Sequence, residues 1–206
     1  MALARTCLML ACILFAAGCV TPTTRNPVGL TTGLTRDAAL IGTWRDDEFR
    51  FDEGEVFHVV PVGTETMTAF CIHMPQKKDE AGSFSVYEFT TAMAGQNHFI
   101  NARELHLARE HVQDADGWMP LFYTTKNGGR SLKLYHLDQT RIAKAIESGA
   151  LKGQVETHKD TNSDGSVSEI IDSIEITAEP AELDAFMAKP EAAGLFTLYK
   201  KYRKVE

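Results

Sequence analysis

Three groups of residues in this chain have types and spacings that could do chemistry. Cys71-x-His73 puts a thiol and an imidazole on one face of a strand, as a nucleophilic cysteine or half of a transition-metal site would require. Asp160, Asn162, Asp164 and Ser166 set side-chain oxygens at alternating positions, with Gly165 available for a sharp turn, a pattern suited to calcium. Cys19 follows the uncharged run Leu8–Gly18, which ends in small residues and so offers a thiol at a processing site. The carboxylate runs Asp46-Asp47-Glu48, Asp79-Glu80 and Asp114-Ala115-Asp116 fall in expected turns, where solvation keeps a carboxyl too acidic for general acid work. No catalytic residue is assigned, and the chain is not expected to be an enzyme.

Each group also has a plainer reading. Cys71 lies in the apolar run Ala69-Phe70-Cys71-Ile72 and reads as a core residue. His58, His73, His98 and His136 lie on expected strands, but no H-E-x-x-H or paired C-x-x-C spacing ties them into a metal site. Asp160 to Ser168 is similar to the first nine positions of an EF-hand loop. The bidentate glutamate of the twelfth position is replaced by Ile171, with Glu169 too early and Asp172 too late. The expectation is a solvated turn before a strand, with at most weak calcium binding through Asp160, Asn162, Asp164 and Ser166. No other cofactor is expected.

Ala16-Ala17-Gly18-Cys19 resembles the lipobox of bacterial lipoproteins, preceded by Arg5 as a short basic region and by an apolar run well under the roughly 20 residues that span a bilayer. The resemblance implies cleavage before Cys19 and a diacylglyceryl group on its sulfur. Two acyl chains, at about 0.8 kcal/mol per buried methylene, would hold the chain at a membrane. Val20 rather than Asp after the cysteine implies, by the same resemblance, the outer membrane, with the body facing the periplasm.

Residues 1–18 carry one of the 21 basic residues, Arg5, and none of the 28 acidic ones, so cleavage of the 206-residue chain leaves 188 residues with formal charge −8 instead of −7. That length suits one domain with a sizeable core. The basic residues are scattered, apart from Lys200-Lys201-x-Arg203-Lys204, which reads as solvating the terminus; nucleic acid is therefore excluded as a partner. Cys7 and Cys12 leave with the signal and Cys19 is assigned to lipid, so Cys71 has no disulfide partner and packing must supply the stability.

The elements that position these residues are mostly strands. Residues 19–37 lack either period and read as a lipidated cysteine and flexible tether, ahead of a single β-rich domain over 38–206. Runs rich in Val, Ile, Thr, Phe and Tyr predict strands at Gly42–Trp44, Val56–Val62, Thr66–His73, Phe84–Met93, Asn97–Ala102, Met119–Thr125, Ser131–Leu137, Ile170–Thr177 and Leu195–Tyr202. Asn127-Gly128-Gly129, whose residues tolerate positive φ, makes Met119–Leu137 a hairpin. Asp138 caps a helix that stops at Gly149, and Pro180 opens a second that ends before Pro190. Ala102–Val112 reads as either helix or strand. The fold class is mainly β (α+β), an antiparallel curved sheet or partly closed barrel with two short covering helices.

Ile41-Gly42-Thr43-Trp44 resembles the Gly-x-Trp of the first lipocalin strand, where glycine permits a tight bend and the indole plugs one end of an eight-stranded barrel. The functional expectation is a membrane-anchored, non-catalytic envelope lipoprotein that meets another envelope protein. The alternative, implied by the lipocalin resemblance, is a carrier of a small apolar molecule or lipid.

Overall fold

The computed structural model describes residues 20–48, 54–74, 81–107, 112–114, 117–161 and 166–205. Eight strands close into an antiparallel barrel: β2 (Gly42–Asp46), β3 (Gly54–Pro61), β4 (Met67–Met74), β5 (Ser83–Ala94), β6 (Asn97–Leu107), β8 (Met119–Lys126), β9 (Ser131–Leu137) and β12 (Phe196–Lys204). Each pairs with the next barrel strand along the chain, and β12 returns to pair with β2, Tyr202 opposite Asp46 and Lys204 opposite Trp44. Closure leaves no open sheet edge among these eight. A short strand, β7 (Val112–Asp114), extends the far end of β6.

Period-2 alternation explains which side chains face inward. On β4, Met67, Ala69 and Cys71 are buried inside, while Phe70 and Ile72 point outward. The expected hairpin joins β8 to β9 through Lys126 opposite Ser131, with Asn127, Gly128 and Gly129 at φ of 55°, 64° and 82°. Gly42, at φ 120°, lets the chain swing from the turn Ala38–Leu40 into β2. Trp44 is then fully buried, its Nε1 donating to the Leu40 carbonyl at 2.7 Å and its ring lying 5.3 Å from Lys204 Nζ. With Leu40, Met67 and Tyr123 it fills one end of the barrel.

A second layer covers part of the barrel's outer wall. It comprises α1 (Gln139–Glu147), α2 (Pro180–Met187) and a small sheet in which β11 (Val167–Ile176) lies between β1 (Thr23–Thr24) and β10 (Gly153–Thr161). Phe99, Leu137 and Phe196 on the wall pack against Ile142, Ile176, Leu183 and Met187 of this layer. The described residues thus form two apolar cores, one inside the barrel and one between wall and cover. Both expected helices form. Asp138 caps α1 by accepting from the Arg141 amide at 3.0 Å, and α1 ends just before Gly149, at φ 72°.

Two expectations are corrected. The stretch from Val20 to Arg36, read as a flexible tether, is fastened to the body. Val28 is fully buried, and the buried Asn101 side chain accepts from its N–H and donates to its C=O, both at 2.8 Å. Asp184 accepts from the Gly29 and Thr31 amides at 2.5 and 2.9 Å. The segment shows no period because single side chains, rather than a long ladder, satisfy its backbone. Gly153–Thr161, absent from the expected strands, is a strand whose mainly exposed side chains give it no apolar alternation. The ambiguous Ala102–Val112 stretch continues β6 as strand to Leu107.

Candidate functional site

The unfilled half of the barrel holds a cavity of about 360 Å³. It exists because small side chains, Ala69, Cys71 and Ala102, occupy inward positions where Leu or Phe would meet across the barrel. Its walls are apolar, formed by residues such as Val59, Phe89, Ile100, Leu121 and Leu134. Opposite the Trp44 end lies the mouth, where Glu55, His73, His136, Tyr199 and Tyr202 line the cavity and Thr21 lies against it.

Glu55 is the centre of this polar end. It is 5% exposed, and Tyr202 Oη donates to its Oε1 at 2.7 Å. Its Oε2 accepts from Tyr199 Oη and Lys200 Nζ, each at 3.2 Å, and stands 3.2 Å from His73 Nδ1. Lys200 also reaches Asp46 Oδ2 at 3.2 Å. A buried carboxylate would otherwise carry a heavy desolvation cost, so each donor stabilises the arrangement. A bulge places Tyr199. The β12–β9 register shifts between Leu198 and Lys200, so Tyr199 is the extra residue, and its hydroxyl reaches Glu55 although its ring is half-exposed.

The electrostatics follow from this burial. Burial first, and then the Glu55 charge, push the Tyr199 and Tyr202 hydroxyls well above the usual tyrosine range, so both remain neutral donors. Burial works to lower the Lys200 pKa, but the Glu55 and Asp46 carboxylates outweigh it and the net direction is upward. Burial, reinforced by Glu55 and Glu104, pushes the Cys71 thiol up to about 12. A thiol held protonated in this way is a poor nucleophile and a poor metal ligand.

The residues singled out from sequence are therefore dispersed. Cys71 and His73 do share one strand face, and that face lines the cavity. His136 joins them at the mouth, whereas His58 lies on the outer surface against Thr43 Oγ1 at 2.8 Å and His98 packs edge-on to Tyr123. Asp160 is the last residue but one of β10 and Ser166 precedes β11 at the exposed end of that strand pair; Asn162 and Asp164 lie outside the described residues, as does Cys19. Among the described residues, no cluster of three or more His, Cys, Asp or Glu is arranged to hold a metal ion.

Sequence reasoning missed the Glu55 cluster. The one legible signal was an acidic residue in phase with Phe57 and Val59 on β3, hence pointing inward. Two plain readings are overturned with it. Asp46 is not a solvated turn carboxylate but lies on β2 and pairs with Lys200, whereas Asp47 and Glu48 do lie in an exposed turn, where Asp47 pairs with Arg203. The basic C-terminal cluster does not merely solvate the terminus, since Lys200 binds Glu55 and Lys204 donates to the Ala39 carbonyl at 2.9 Å. Comparison with protein-family models, with curated proteins and with solved structures finds no match, so the geometry of the barrel interior is what any functional reading must rest on.

Proposed function

We propose that this chain is a lipid-anchored envelope protein whose barrel takes up a small, mainly apolar molecule and holds its polar end against the Glu55 cluster. The observation that carries this reading is the cavity: its volume lies within the range of small-molecule sites, its walls are apolar and its polar groups converge at one end. Eight-stranded barrels leave room for one small ligand. The lipocalin resemblance supports the same reading, because Gly42-x-Trp44 stands on the first barrel strand, with the glycine at positive φ and the indole on the floor. Among the described residues, the polar end sets the carboxylates of Glu55 and Asp46 against the ammonium of Lys200, which favours a neutral or cationic head over an anionic one. A cavity of this kind favours a carrier over a purely accessory role, and the lipobox assigns Cys19 as the acylated anchor.

Fluorescence titration with N-phenyl-1-naphthylamine, a neutral apolar probe, tests the reading. The wild-type protein binds one equivalent, and Ala69→Trp and Ala102→Phe, which fill the interior, weaken binding at least tenfold while circular dichroism reports an intact barrel. Undiminished binding by both folded variants refutes the interior site. Cys19→Ser moves the protein from the membrane to the soluble fraction; unchanged fractionation refutes the anchor.

A further inference from the structure

The mouth of the cavity is bracketed by two features that act on the same kind of surface. On one side, the Val20 amide donates to Gln139 Oε1 at 3.2 Å, at the start of α1, and Thr21 lies against the cavity. Because β9 leads directly into α1, Cys19 precedes a residue seated beside the β9 side of the mouth. Across the barrel, the outer face of β4 and the start of β5 carry Phe70, Ile72, Met74 and Phe84, which are 39, 48, 37 and 56% exposed. They form one patch: Ile72 pairs with Phe84, and the Phe70 and Phe84 rings stack at 6.4 Å.

The patch belongs to the mouth end, because Gly54 pairs with Met74 and Glu55 with His73 at that end of β3 and β4. Three barrel strands separate β4 from β9 in either direction round the barrel, so patch and N-terminus stand on opposite sides of the mouth. Leu198, 41% exposed on β12, adds apolar surface to the outer wall next to β9. The covering layer packs on the wall around Phe99, Leu137 and Phe196 and leaves the β4 patch bare. A cluster of exposed large apolar side chains marks a contact surface. The formal charge of −8 left by the expected cleavage favours apolar insertion over attraction to anionic headgroups.

We infer that the occupant of this surface is the bilayer. Acyl chains on Cys19 enter at one rim, Phe70, Ile72, Met74 and Phe84 enter at the other, and the cavity opens into the headgroup region. The ligand then passes between lipid phase and barrel without crossing water. This rests on the proposed acylation of Cys19 and on the proposed interior site.

The test uses the processed, acylated chain beginning at Cys19 in phosphatidylcholine vesicles. A nitrobenzoxadiazole label is placed at Ile72→Cys, by the mouth, or at Lys126→Cys, at the opposite end; the buried Cys71 stays unlabelled. Brominated acyl chains quench the Ile72 label at least threefold and leave the Lys126 label unchanged. Equal behaviour of the two labels, with acyl chains confirmed on Cys19 by mass spectrometry, overturns the orientation while the anchor stands. An unmodified Cys19 overturns both. A second readout separates docking from the interior site: Ile72→Glu/Phe84→Glu slows transfer of N-phenyl-1-naphthylamine from vesicles into the barrel at least tenfold with equilibrium affinity unchanged, and an unchanged rate overturns the proposal. If the wild-type barrel fails to bind the probe, the interior reading fails, and the quenching result still decides the docking.

Discussion

Tyr202→Phe isolates the bond that links the barrel core to its polar end. Tyr202 is fully buried, its ring packs edge-on to Phe57 at 4.8 Å, and its hydroxyl is the donor to Glu55 Oε1 at 2.7 Å. Phenylalanine keeps the packing and removes the donor. Among the described residues, the other contacts of Glu55, from Tyr199, Lys200 and His73, converge on Oε2, so they do not replace it. A hydrogen bond to a buried charged group contributes about 1.5–3 kcal/mol. For a domain of this size that corresponds to a fall in Tm of roughly 3–12 °C. Calorimetry at pH 7, with Glu55→Gln as the second arm of a double-mutant cycle, measures it, and a coupling energy near 1 kcal/mol or more is expected.

The same variant has a pH signature. Because the Tyr202 hydroxyl is held above its ordinary value of about 10 in the folded state, its contribution is intact below pH 10. Above pH 10 the unfolded chain ionises this tyrosine while the folded chain does not, and stability is lost as pH rises. The phenyl ring of the Tyr202→Phe variant cannot ionise in either state, so the gap between wild type and variant narrows by about 1.4 kcal/mol per pH unit above 10. A gap that stays constant with pH, or a loss under about 0.5 kcal/mol at pH 7, refutes the assignment of Tyr202 as the donor that satisfies Glu55.

Two further outcomes follow from the same geometry. With the Cys71 thiol pushed up to about 12 from 9.0, its thiolate fraction at pH 8 is about a thousandfold below that of a free thiol. A higher-pKa thiolate is also the better nucleophile, which offsets part of that fall, so native protein should react with a disulfide reagent at least about tenfold more slowly than denatured protein, and comparable rates would remove the buried-thiol reading. Asn101→Ala strips both backbone partners from buried Val28 and should cost about 2–4 kcal/mol locally, speeding exchange of the Val28 amide by roughly 30- to 1,000-fold. Wild-type protection at that amide would mean that the segment is held by something other than Asn101.

Local chemistry made much of the fold legible from sequence. Alternating apolar runs located the barrel strands, Asn127-Gly128-Gly129 located the turn between β8 and β9, and Asp138 and Pro180 located the starts of both helices, because each signal acts within a few residues. The plugged barrel end came instead from the resemblance of Gly42-x-Trp44 to the first lipocalin strand, which implies it. Closure was beyond that reach. It depends on β12 returning to β2 in a fixed register, and alternation is identical in an open and a closed sheet.

The candidate site was still less legible, because its partners meet across the chain: Glu55 binds a tyrosine 147 positions away, and Tyr199 reaches it only through a bulge that no composition rule marks. The fastening of residues 20–36 depends likewise on Asn101 and Asp184, each an ordinary polar residue until folding brings it beneath that backbone. Sequence alone determined which stretches could be strands, turns and helices, since those choices are settled by near neighbours. Tertiary structure alone decided that the strands enclose a cavity and which charge sits at its mouth, since both arise from contacts between residues far apart along the chain.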